Sequence, residues 1–89
     1  MKTTIVTRHK VGSFDTWLKG HQDRLDIFKP AISGIKTFQD TDDPNSVAMT
    51  IEVTDMVKFQ AILNDPATEV FKKKHTVIDP ITVSIQVEH

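Results

Sequence analysis

The sequence predicts an α+β fold in the order β-α-β-β-α-β, with both helices covering one face of a four-stranded antiparallel sheet. Three observations predict it. Apolar residues alternate with period two at Val47, Met49, Ile51 and Val53, and again at Ile81, Val83, Ile85 and Val87. Apolar residues recur at three- and four-residue spacing from Phe14 to Phe28 and from Met56 to Phe71. Polar caps and prolines separate these stretches.

Thr3 to Val11 is rich in β-branched residues and reads as the first strand. Gly12-Ser13 ends it. The Ser13 hydroxyl is suited to accept from a free N–H of the next helix, and Asp15 suits its positive end. That helix places Phe14, Trp17, Leu18, His21, Leu25 and Phe28 on one stripe, with Lys19, Gln22, Asp23 and Asp26 mainly opposite. Pro30 stops it and Gly34 supplies the turn. Ile35 to Asp40 forms the second strand. The loop Thr41-Asp42-Asp43-Pro44-Asn45-Ser46 is turn chemistry, so strands two and three form a hairpin. Thr54-Asp55 caps a second helix carrying Met56, Phe59, Ile62 and Leu63. Asn64-Asp65-Pro66 interrupts it, and Pro66 behind an Asp65 cap restarts it to about residue 75, anchored by Val70 and Phe71. Asp79-Pro80 acts as a breaker before the last strand. Two strand–helix–strand units around a central hairpin make the ferredoxin-like arrangement.

Eighty-nine residues predict a single domain over 1–89, and 38% hydrophobic residues supply a modest core that oligomerisation can extend. Eleven basic side chains balance 12 acidic ones, which argues against a dedicated nucleic-acid or membrane-surface protein. There is no cysteine, so thiolate metal sites and disulfides are excluded. The expectation is a cytoplasmic protein, with no signal peptide and no membrane span.

The stretch His9-Lys10-Val11-Gly12-Ser13-Phe14-Asp15-Thr16-Trp17, followed by His21 and Arg24, resembles the opening of small dimeric α+β barrel proteins. Phe38 to Asn45 with Val47 and Glu52-Val53 is similar to that group as well, as is the split second helix. The group includes the antibiotic biosynthesis monooxygenase-like domains. The resemblance implies a homodimer packed through its sheet faces and a pocket between sheet and helices. Its members include cofactor-free oxygenases, haem-degrading enzymes, isomerases and ligand-sensing modules. The Asn–His–Trp set of the haem-degrading members does not map here, because Trp17 and His21 lie in the first helix and the matching Asn is missing. Tyrosine is absent, which excludes any mechanism needing a protein phenol.

His21 is expected on the buried stripe, four residues after Trp17, where an imidazole is suited to proton transfer near neutral pH. A core-edge histidine bonded to a carbonyl or solvent is the alternative. The two faces of strand one are Ile5, Thr7, His9, Val11 and Val6, Arg8, Lys10. The second faces away from the helices, where Glu52 or Glu88 is expected to pair with its charges, so His9 faces the helices and His21. Arg24 is placed to hold a carboxylate or enolate oxygen at a pocket mouth, or to pair with a surface Asp. Trp17, Phe38, Met49, Phe59 and Phe71 are expected to line any cavity. Asp40, Asp42 and Asp43 lack the glycine and terminal glutamate of a calcium loop and read as hairpin loop. Lys72-Lys73-Lys74 reads as a solvated helix end. No histidine pair has the i, i+4 spacing of a helical metal site, and no cofactor is expected.

Two functions follow. One is a cofactor-independent monooxygenase or isomerase acting on a small apolar or aromatic substrate, with His21, His9 and Arg24 as its catalytic residues. The alternative is a non-catalytic dimeric module that binds a small ligand or only itself.

Overall fold

The computed structural model describes residues 2–87. Its elements are β1 (Thr3–Val11), α1 (Phe14–Lys19), α2 (His21–Phe28), β2 (Ile32–Gln39), β3 (Ser46–Val53), α3 (Met56–Leu63), α4 (Pro66–Lys74) and β4 (Val77–Ile85). The strands form one antiparallel sheet in the order β2-β3-β1-β4, the ferredoxin-like order. Glu88 and His89 lie outside the described residues. Among the described residues no helix is long and apolar enough to cross a membrane.

The predicted caps form. Thr16 N–H donates to Ser13 Oγ, Lys58 N–H to Asp55 Oδ1, and Ala67 N–H to Asp65 Oδ1. Each satisfies one of the amides a helix leaves free at its start. The hairpin loop uses its acids in the same way, with Asp40 Oδ2 accepting from the amides of Asp42 and Asp43.

The core lies between sheet and helices. Ile5, Val11, Val47, Ile51 and Val53 from the sheet meet Trp17, Phe28 and Phe59 from the helices. Ile5, Thr7, His9 and Val11 are buried and Val6, Arg8 and Lys10 exposed, as strand parity requires.

The first helix departs from expectation. It breaks at Gly20, and its buried positions are Trp17, Gly20, Arg24 and Phe28. Leu18 is exposed, while His21 and Leu25 are half-buried. The reason lies at residue 75. His75 is buried against Gly20, where an added Cβ would come 2.6 Å from His75 Nδ1. Only glycine admits the imidazole, and the buried stripe follows Gly20 rather than His21.

Other boundaries shift for local reasons. Gly34 does not make the turn after α2. It lies inside β2, next to the register shift between Ile32 and Gly34. Asp79-Pro80 does not precede the last strand, since β4 runs through it. A strand at the sheet edge accommodates proline, and β1 has a register shift opposite, between Arg8 and Lys10. Val70 does not anchor α4, being 69% exposed; Thr68 does, with its hydroxyl donating to Ile62 O at 2.6 Å. The expected pairing of Arg8 or Lys10 with Glu52 is not made. The register sets Glu52 opposite Thr4, where it accepts from Ser33 Oγ at 2.9 Å and meets Lys2 at 3.6 Å, while Lys10 pairs with Asp43.

Candidate functional site

Between sheet and helices lies a cavity of about 60 Å³. β1 contributes Thr7 and His9 to its wall, α1 Trp17, and α2 Arg24. Met49, Phe59 and Phe71 complete much of the apolar lining. Lys72 and Ile81 stand where α4 and β4 meet it. Among the described residues no carboxylate lines it.

His9 is buried, and its Nδ1 lies 3.0 Å from Lys10 O. A carbonyl only accepts, so Nδ1 carries the proton and Nε2 keeps its lone pair. Burial pulls the imidazole below its ordinary value of 6.5; the bond to Lys10 O opposes this, and the nearby charge of Arg24 adds to it. His9 is therefore neutral at pH 7. Its ring meets Trp17 edge-on, with centroids 5.7 Å apart.

Arg24 is the unusual residue. It is only 4% exposed, and its guanidinium carbon stands 4.2 Å from the centroid of the Trp17 ring. Stacking on an aromatic face stabilises a cation but satisfies none of its N–H groups. Among the described residues Nε, Nη1 and Nη2 find no hydrogen-bond partner, and neither do Thr7 Oγ1 and Trp17 Nε1. Burial lowers the guanidinium well below its ordinary value, to about 10, against a smaller opposing effect of Asp23, so it stays charged at neutral pH. Lys72 is also largely buried, with its ammonium 3.0 Å from both Glu69 and Asp79. Burial opposes its charge, but those two carboxylates outweigh it and raise its pKa.

Of the residues expected to form a site, the fold gathers His9, Arg24, Trp17, Met49, Phe59 and Phe71 around this cavity. His21 is not among the lining residues, so the expected juxtaposition with His9 does not occur there. Arg24 is neither at a mouth nor paired with a surface carboxylate; it is buried in the wall. Phe38 is on the opposite face of the sheet, paired with Ala48 and 50% exposed. Strand parity decides this, because its neighbours Thr37 and Gln39, paired with Met49 and Val47, take the cavity's side. Thr7 and Lys72 were not anticipated. Lys72 stands at the buried edge of a lysine run whose other members, Lys73 and Lys74, are exposed. His75 was also missed, and Gly20 inside an apolar stripe is the signal of such a close approach.

Several solved structures share this architecture. SnoaB, a cofactor-independent oxygenase from Streptomyces nogalater, superposes with a TM-score of 0.74 at 16% identity, over 99% of this chain and 93% of that one. A proposed antibiotic biosynthesis monooxygenase from Bordetella bronchiseptica gives 0.77 at 10% identity, over 99% and 97%. The chain has the fold of the antibiotic biosynthesis monooxygenase-like proteins. A further structure of an antibiotic biosynthesis monooxygenase matches at 0.68 and 12% identity, over 100% of this chain and 99% of the other. No family profile matches the sequence, and neither does any curated protein. At these identities the likeness concerns the fold.

Proposed function

We propose that this protein is a cofactor-independent oxygenase that removes a proton from an acidic carbon of a small substrate and delivers the resulting carbanion to dioxygen. The observation that carries the reading is His9, a buried neutral imidazole with a free Nε2 beside a buried cation in one apolar cavity. His9 Nε2 takes the proton. Arg24, with Thr7 Oγ–H and Trp17 Nε1–H as further donors, holds the negative charge that develops on the substrate oxygen. The carbanion is the electron donor to O₂, and the net change is CH₂ + O₂ → C=O + H₂O. SnoaB, described as a cofactor-independent oxygenase, supports this choice over an isomerase.

The cavity constrains the substrate. A cavity that admits benzene measures about 150 Å³, against about 60 Å³ here. A group of a few heavy atoms fits, and the rest of a larger ligand lies outside it. The test is dioxygen uptake with small enolisable compounds. His9→Gln lowers turnover by about 10²–10⁴-fold, the usual contribution of a general base, while His21→Gln leaves it within about twofold. Equal loss in both variants, or none in His9→Gln, removes the assignment.

The protein acts as a homodimer in this reading, through the sheet face turned away from the helices. That face carries the exposed apolar residues Val6, Phe38 and Ile78 among its charges. Light scattering at micromolar concentration returns twice the chain mass; a monomer mass contradicts the dimer.

A further inference from the structure

We propose that the ligand of this cavity is a small monocarboxylate, with its carboxyl group held by the Arg24 guanidinium. The inference rests on the cavity being the substrate site, and it names the substrate class that the oxygenase reading leaves open.

Charge makes the first argument. A buried cation without a counter-ion is destabilising, and burial of a charge is tolerated when it is paired and hydrogen-bonded. Among the described residues Arg24 has no acceptor for any of its three nitrogens and no carboxylate beside it in the cavity wall, and Asp23 offsets only part of the burial cost. Trp17 beneath the guanidinium supplies a π face and no acceptor. Lys72 is already matched by Glu69 and Asp79, and His9 is neutral at pH 7. Arg24 is thus the one cation of the described wall without a paired carboxylate. A ligand with one permanent negative charge pairs with it, and a second permanent charge finds no further unpaired cation in the described wall.

Hydrogen-bond polarity makes the second argument. The orphaned atoms include three guanidinium nitrogens, an indole N–H and a hydroxyl, and all of them can donate. They require a ligand rich in acceptors. A carboxylate offers two acceptor oxygens in the planar fork a guanidinium matches, and leaves lone pairs for Thr7 and Trp17. An enolate formed only during turnover would leave Arg24 uncompensated in the resting complex, whereas a permanent anion pairs with it on arrival. A cavity of about 60 Å³ takes the carboxylate head of a small acid and is too small for a ring.

Trp17 is the only tryptophan and lies directly under Arg24, so its fluorescence reports on this site. The probes are acetoacetate and acetylacetone, enolisable compounds of nearly equal shape in which a carboxylate replaces a neutral acetyl group. Full-length protein at pH 7.5 binds acetoacetate at least about tenfold more tightly than acetylacetone, as expected for a charge-assisted hydrogen bond. Malonate, a dianion, binds more weakly than acetoacetate. The preference falls to within about twofold in Arg24→Met and survives in part in Arg24→Lys, which keeps the charge without the fork. Circular dichroism checks that both variants fold, and if Arg24→Met does not, Arg24→Lys and the wild-type ligand series decide alone. Equal affinity for the two probes overturns the proposal. So does an unchanged preference in a folded Arg24→Met, an equal response to sodium chloride over the same range, or no binding of acetoacetate at 50 mM. Dioxygen uptake separates this inference from the reading it rests on. Selective binding without uptake of oxygen keeps the monocarboxylate site and removes the oxygenase, and turnover with no anion preference does the reverse.

Discussion

Replacing Arg24 with methionine removes a buried charge while leaving a flexible apolar chain against Trp17, and it should make the protein more stable. The burial that lowers the guanidinium to about 10 corresponds to a penalty of about 3 kcal/mol on the charged form. Stacking on Trp17 returns about 1–2 kcal/mol of this. A methionine thioether near the same ring contributes up to about 1.5 kcal/mol. Arg24→Met is therefore expected to gain about 1–3 kcal/mol at pH 7, a rise in Tm of at least about 4 °C for a domain of this size. Urea unfolding followed by circular dichroism measures it. The pH dependence has a definite sign. Because the folded value is the lower one, the unfolded chain binds more protons above pH 10, and the Arg24 penalty is relieved as pH rises from there. The advantage of the variant is complete below pH 10 and shrinks above it. A loss of 1 kcal/mol or more in Arg24→Met, measured at pH 7, would falsify the view of Arg24 as a cation held at a cost for a ligand.

His9 supplies an acid-side prediction. Its folded pKa lies below 6.5, so the unfolded chain takes up a proton that the fold resists, and stability falls as pH drops below 6.5. His9→Gln flattens that part of the profile in urea unfolding at pH 7.5 and pH 5; identical slopes contradict a buried neutral imidazole. Gly20→Ala drives a methyl group into the His75 ring and should cost about 1–3 kcal/mol. His75→Ala in the same chain should recover part of that loss by double-mutant comparison, and strict additivity argues against the contact. Asp65→Ala removes the cap of α4 and costs about 1 kcal/mol. No change in Tm would mean that the cap does not hold the helix start.

Local signals carried much of the fold. Ser13, Asp55 and Asp65 announced their helices because a cap acts within three residues of itself. The alternation in β3 gave its buried face for the same reason. The errors arose where a residue distant in sequence decides. His75 displaces the buried stripe of the first helix onto Gly20, which moved His21 out of the cavity lining and made Arg24 part of it. Phe38 was assigned to the cavity for being aromatic, yet its parity in β2 turns it to the other face. β4 reads as a clear alternating strand, but at the sheet edge Val83 and Ile85 remain half exposed. His9 was legible because Arg8 and Lys10 on either side require the outer face. The burial of Arg24 was not, since nothing in its local pattern distinguishes a stacked, unpaired guanidinium from one paired at the surface.

The most direct measurement is a ¹H–¹⁵N NMR titration of the protein with acetoacetate, following side-chain signals. The account predicts that Arg24 Nε–H, Trp17 Nε1–H and the His9 ring move together and saturate with one affinity, while His21 stays in place. Shifts centred on His21 or scattered over surface lysines, with Arg24 and Trp17 unmoved, would contradict it.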